Sequence, residues 1–314
     1  GYGGGILITA SSPTITNCTI SGNSAEGSLR GYGGGIACYH ASPTINGCTI
    51  SGNSADRGGG IHCRLDSNPT INDCIFSENS AEDGGGIYIY SYCNTTISNC
   101  TISENLAEDG GGIYCRTYSS FTISDCTISA NSANSNGGGI ECYYSTPTIS
   151  GCTIIGNSAN RGGGIRCWGY SPTINSCTIN GNTAEDGGGG IYCESGAGPL
   201  VDDCIISDNL ADNGGGVFCD QSDPTIINSK ITGNSVEGEN SVGGGIYIYY
   251  CDPMISGCTF SGNSADKGGA IECWVSNPTF SNCTISGNVG HLYAGAIRCA
   301  TTSNPIFTNC TVTD

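Results

Sequence analysis

The chain has 314 residues, with 27 acidic and only 9 basic side chains, for a formal net charge of −18. That balance excludes a nucleic-acid partner, which needs a basic face. No apolar run reaches the roughly 20 residues of a membrane span. Glycine (52) and cysteine (22) dominate the composition. A glycine load without a Gly-X-Y period excludes collagen and implies many tight turns. Cysteine at this density fits an oxidising, extracellular or cell-surface location.

A Gly-Gly-Gly-Ile tetrapeptide or a close variant ends at Ile6, Ile36, Ile61, Ile87, Ile113, Ile140, Ile165, Ile191, Val217, Ile246, Ile271 and Ile297. This internal repeat overrides any domain count taken from length, because a solenoid grows by adding coils. Each interval of about 26 residues predicts three short strands. In the coil from Gly139 they are Gly139-Ile140-Glu141-Cys142 (strand A), Thr148-Ile149-Ser150 (B) and Cys152-Thr153-Ile154-Ile155 (C). Alternation turns Ile140, Cys142, Ile149, Cys152 and Ile154 inward. Strands this short, separated by Gly, Pro and Asn, bury their faces only by stacking on the next coil. The expected fold is all-β: a right-handed parallel β-helix of about twelve coils, one domain over residues 1–314, with no separate caps. Insertions, between Glu26 and Tyr32 and between Glu237 and Val242, fall at one corner. An asparagine recurs after strand C, from Asn23 to Asn288, where stacked amides can satisfy the turn backbone.

Two motifs carry a resemblance. Gly-Gly-Ala-Ile at 268–271, with Phe260-Ser261-Gly262-Asn263 and Phe76-Ser77-Glu78-Asn79, resembles the GGA(I/V) and FxxN repeats of polymorphic outer membrane proteins. More broadly the chain is similar to secreted right-handed β-helix repeat proteins, whose fold is shared with pectate lyases. The resemblance implies a cell-surface adhesin or passenger.

Cysteines form two ladders, and coils lacking the strand A cysteine (Ile89, Ile248) carry Cys93 or Cys251 instead. This predicts one disulfide per coil: Cys38–Cys48, Cys63–Cys74, Cys93–Cys100, Cys115–Cys126, Cys142–Cys152, Cys167–Cys177, Cys193–Cys204, Cys251–Cys258, Cys273–Cys283 and Cys299–Cys310. Cys18 and Cys219 are left as free thiols. The alternative is a stacked thiol ladder with no bonds. No CxxC occurs and His40, His62 and His291 are scattered, so no metal site is expected.

Outside strand A lie Tyr88, Tyr90, Tyr114, Tyr143, Trp168, Tyr192, Tyr247, Tyr249 and Trp274, an aromatic face suited to a protein or polysaccharide partner. The alternative is cross-coil stacking that stiffens the sheet. Glu141 with Arg166, Glu194 with Asp220, and Glu272 with Arg298 sit on neighbouring coils without forming the clustered carboxylates a lyase or hydrolase needs, so no catalytic residue is assigned. Acids before the glycines (Asp56, Glu82-Asp83, Glu108-Asp109, Glu185-Asp186, Asp212 and Asp266) could draw Ca²⁺, although a solvated edge is the simpler reading. Rows of Thr and Ser on strands B and C admit an ice-binding surface, interrupted at Ile75, Ile155, Ile205 and Lys230. The chain starts at Gly1-Tyr2-Gly3 and stops at Thr313-Asp314 nearly in phase, as expected either of a head-to-tail homopolymer or of a fragment cut from a longer solenoid. The expected function is thus a structural or adhesive extracellular solenoid. The alternatives are a carbohydrate-binding or carbohydrate-cleaving β-helix and an ice-binding solenoid.

Overall fold

The computed structural model describes residues 3–25 and 30–313. Gly1, Tyr2, Asp314 and the start of the first insertion therefore lie outside the described residues. The chain forms two compact units, Gly1–Ser158 and Ala159–Asp314. Each contains six coils of three stacked strands, and these strands pair in parallel with like positions aligned.

In the first unit, sheet A consists of Ile6–Thr9, Ile36–Tyr39, Ile61–Arg64, Ile87–Tyr90, Ile113–Arg116 and Ile140–Tyr143, one per coil. Its register aligns identical positions, for example Ile87 with Ile113 and Tyr90 with Arg116. Sheet B includes Thr70–Asn72, Asn94–Ser98 and Ser120–Ser124, and sheet C includes Ile75–Ser77, Thr101–Ser103 and Thr127–Ser129. The second unit repeats this plan, with sheet A formed by Ile165–Trp168, Ile191–Glu194, Val217–Asp220, Ile246–Tyr249, Ile271–Trp274 and Ile297–Ala300.

Most coils add a fourth strand that the sequence reading did not contain, such as Leu106–Asp109 paired with Ser132–Asn136. It directly follows the asparagine turn. Its buried alanine (Ala107, Ala133) is small enough to let this corner close on the core.

The core is a set of ladders. Ile45, Ile71, Ile97, Ile123 and Ile149 stack on sheet B, and Ile50, Phe76, Ile102, Ile128 and Ile154 on sheet C, each fully buried. Beside them runs the asparagine ladder. Asn105 donates from Nδ2 to the Phe76 carbonyl (3.0 Å) and to Asn131 Oδ1 (2.9 Å). Its own Oδ1 accepts from the Asn79 amide and Asn79 Nδ2, both at 3.0 Å. The same arrangement joins Asn182, Asn209 and Asn234 in the second unit. Buried polar groups in the turn are thereby paired in successive coils of each unit.

The glycine triplet is dictated by contact. Its first member adopts positive φ, as at Gly110 (66°). At the second, a Cβ on Gly111 would stand 2.5 Å from the Ser132 carbonyl oxygen and 2.6 Å from that of Gly138. Both obstacles are backbone, so the position admits no side chain. The third position is less strict, since Ala270 occupies it while fully buried.

Candidate functional site

The expected aromatic face divides into two rows. The second residue of strand A points outward yet is covered in most coils. Tyr88, Tyr114 and Tyr192 are buried, as are His62, Glu141, Arg166 and Glu272. This corrects the assignment of Tyr88, Tyr114 and Tyr192 to a partner surface. The reason is lateral packing. Tyr88 lies flat, stacked on His62 (5.2 Å between centroids, 13°) and Tyr90 (6.0 Å, 16°), with Arg57 5.6 Å from its centroid and Tyr114 edge-on at 5.3 Å. In the second unit Tyr192, Phe218 and Tyr247 pack likewise at 5.0 and 4.7 Å. Burial drives the His62 pKa down to about 3, helped by Arg64 and Arg57, and pushes that of Tyr88 up to about 12. These rings are a structural layer.

Tyr90, Tyr143, Trp168, Tyr247, Tyr249 and Trp274 are half-buried and reach solvent. A further set of exposed aromatics sits just beyond, at the corner after strand A. Tyr92 (59% exposed), Tyr118 (58%) and Tyr144 (41%) occupy three successive coils of the first unit. Tyr92 and Tyr118 stack at 5.8 Å. Tyr170 and Tyr250 hold comparable corners in the second unit. Strand alternation gives no signal for Tyr92, Tyr118 or Tyr170. The usable sign was a tyrosine where a turn ordinarily takes Gly, Asn or Asp.

Several charged groups on the outer layer are paired internally. Arg166 Nε donates to Glu194 Oε1 at 2.6 Å, and Arg298 binds Glu272. Burial raises both carboxyl pKa values, against the pull of the arginines, with Glu272 reaching about 7. Glu194 aligns with Asp220 on the next coil, and Asp220 accepts a hydrogen bond from the Tyr192 hydroxyl (3.2 Å). At the acidic corner, Asp83 binds Arg57 (2.9 Å), Asp186 binds Arg161 (2.7 Å), and Asp109 accepts from Asn136 (2.8 Å). Among the described residues no group of three or more His, Cys, Asp or Glu is disposed to hold a metal ion. On sheet C the exposed Ile75 breaks the Thr row and Ile155 the Ser row of the first unit, and Ile205 breaks the Thr row of the second.

The cysteines depart from the disulfide expectation. No disulfide joins the cysteines of the described residues, and Cys18 and Cys219 are not set apart from the rest in this. The strand C sulfurs turn to their own corner. Cys74, Cys100 and Cys126 each donate to the carbonyl two residues earlier at 3.1 Å, and the Cys100 amide donates to the Cys126 sulfur (3.2 Å). In strand A, Cys38 aligns with Cys63 and Cys115 with Cys142. Thiols thus neighbour thiols one coil away, along each ladder. Cys93 and Cys251 belong to a further ladder at the corner after strand A. There the Cys93 amide donates to Ser119 Oγ and the Cys251 amide to Ser276 Oγ, both at 3.2 Å. They stand in for serines. Burial raises the Cys93 and Cys115 thiol pKa values to about 12.

A thiol reagent at pH 8 is accordingly expected to label the exposed Cys18 and Cys299 first and Cys310 more slowly. The buried thiols should react only once the chain unfolds. In-coil disulfides would instead leave Cys18 and Cys219 as the only reactive thiols of the unfolded, unreduced chain.

In the second unit a recess of ≈ 620 Å³ is lined by Gln221, Asp223, Tyr249, Tyr250, Asp252 and Asn277, among others. Asp223 accepts from the Asp252 amide (2.6 Å) and Asp252 from the Asn277 amide (2.5 Å), so both carboxylates tie one coil to the next.

Ladders, parallel register and glycine corners define a class, the parallel β-solenoids. The chain belongs to the right-handed β-helix family, whose model, described as "right handed beta helix region", matches residues 4–179, 158–274 and 239–314. No curated protein and no solved structure matches the chain. No helix among the described residues is long and apolar enough to cross a membrane.

Proposed function

We propose that the chain is an extracellular structural and adhesive solenoid, whose coils hold a contact surface in place of a catalytic centre. The observation that carries this reading is the corner tyrosine row. Tyr92, Tyr118 and Tyr144 have φ of 62°, 54° and 46°, a left-handed conformation that costs a side chain with a Cβ roughly 1–2 kcal/mol. Their rings remain in solvent, so burial does not offset that cost. Exposed rings held at a strained corner in successive coils suit contact with a surface. The cysteine content favours an oxidising compartment. Because every inner coil offers the same ladder groups to either neighbour, a second copy could add end to end through the same hydrogen bonds.

The test is retention of the chain on surfaces coated with dextran, with hyaluronan or with the chain itself, alongside sedimentation velocity for assembly. Tyr92→Ser/Tyr118→Ser/Tyr144→Ser should keep the parent's thermal midpoint and lose about tenfold in retention on at least one surface. Retention equal to the parent on all three would sink the reading.

A second reading, a carbohydrate-binding or carbohydrate-cleaving β-helix, is favoured by the recess in the second unit. Tyr249 and Tyr250 supply ring faces there, and Gln221 and Asn277 supply amides.

A further inference from the structure

We infer that the outer edge of sheet A in the first unit binds a linear acidic polysaccharide in which acid-bearing and acid-free sugars alternate. The inference rests on the adhesive reading and names a ligand class for that face. Its basis is the fourth position of strand A, which reads Tyr39, Arg64, Tyr90, Arg116, Tyr143 in five successive coils. The register places each directly beside the next. All five are half-buried, with part of each side chain in solvent.

The two arginines are unusual for this chain. With 27 acidic residues against 9 basic ones, a surface cation should readily find a carboxylate. Arg57 does so with Asp83 at 2.9 Å. Arg64 and Arg116 form no ion pair among the described residues, and Arg64 Nε is buried without a hydrogen-bond partner. Both lie on aromatic faces instead. The Arg64 guanidinium is 5.6 Å from the Tyr32 ring and 5.9 Å from Tyr90, and that of Arg116 is 5.1 Å from Tyr143. Guanidiniums stacked this way keep their in-plane donors for a carboxylate or sulfate. The overall negative charge does not forbid an anion here, since screening acts over about 8 Å at physiological salt.

Spacing selects the ligand. Coils rise by ~4.8 Å, comparable with one pyranose residue in an extended chain. Successive sugars would then meet successive coils, ring faces on tyrosines and acid groups on arginines. A peptide laid along the same row would advance ~3.3 Å per residue and fall out of step. A sugar chain with an acid on every residue would set an anion against Tyr90, between the two arginines. In the second unit the same row reads Trp168, Glu194, Asp220, Tyr249 and Trp274, with two adjacent acids and no arginine.

The experiment is calorimetric titration of the full chain with hyaluronan oligosaccharides, with neutral cello-oligosaccharides and polyglutamate as comparison probes. Hyaluronan should bind, weaken as salt rises, and lose about tenfold in affinity in Arg64→Gln/Arg116→Gln at an unchanged thermal midpoint. Should that variant unfold, Arg64→Lys/Arg116→Lys keeps the charge but not the fork and should bind several-fold more weakly than the parent. Hyaluronan binding equal to the parent in a folded variant overturns the inference, as does polyglutamate binding equally well. Absence of hyaluronan binding, with tyrosine-dependent retention on dextran or on the chain itself, also overturns it and leaves the adhesive reading standing.

Discussion

Asn105→Ala is expected to destabilise the chain by roughly 4 kcal/mol, a large loss for one side chain. The amide makes four hydrogen bonds in a site 1% exposed, two as donor and two as acceptor. Alanine leaves the Asn79 amide buried without a partner, at a cost of about 1–3 kcal/mol, and removes one donor from the Phe76 carbonyl. Asn79 Nδ2 retains a second acceptor in the Ile50 carbonyl (2.9 Å), which limits the damage on that side. Asn288 is only partly buried, so Asn288→Ala should cost distinctly less. Because coils contact only their neighbours, the loss should be local. Amide exchange should accelerate first in the coils holding Asn79, Asn105 and Asn131. Denaturant unfolding gives the magnitude and exchange gives the location. An Asn105→Ala chain as stable as the parent would mean that the ladder does not support the turn.

The second large effect concerns pH. Glu272 is fully buried, and burial raises its pKa from 4.5 to about 7, with Arg298 and then Lys267 opposing. The folded state therefore holds a proton that the unfolded chain releases. Stability from this group is complete below about pH 4.5 and is lost as pH rises through about 7. The difference is on the order of 2 kcal/mol, discounted because the Arg298 side chain is 25% exposed and screened by solvent. Thermal midpoints from pH 4 to 8 should fall in the parent and fall less in Glu272→Gln, which should be the more stable chain at pH 8. An identical slope in both would remove Glu272 from the account. Glu194 is shifted in the same direction, so the difference between the two chains, and not the parent's slope alone, carries the test.

Much of the fold was legible because one coil repeats. Ile71, Ile97 and Ile123 recur at a fixed interval with a polar neighbour on either side, and only stacking buries them all. The asparagine ladder was legible for the same reason. Failures came where neighbours, not periodicity, decide. Alternation turns Tyr88, Tyr114 and Tyr192 outward, and so they are. But alternation says nothing of flanking rings and arginines that close over them, as Arg57 and Tyr90 close over Tyr88. The in-coil pairing of Cys100 with Cys93 rested on their sharing a coil. Sequence could not reveal that the Cys100 sulfur faces the Ser98 carbonyl, nor that Cys93 occupies the slot of Ser119. The fourth strand, often only two residues such as Ser54–Ala55, is too short to leave a pattern. Tyr92 and Tyr118 were missed because a left-handed corner is ordinarily announced by Gly or Asn.

The in-register ladders also bear on how such a gene can change length. Ile87 and Ile113 occupy the same rung, as do Asn79 and Asn105, so unequal crossing-over between the DNA of adjacent repeats would delete or duplicate one whole coil. Every remaining isoleucine, asparagine and glycine would still meet its own kind above and below. Such a gene can shorten or lengthen in steps of one repeat without a frameshift or a misfolded intermediate form, whereas the loss of a few residues within a strand would break every ladder at that coil.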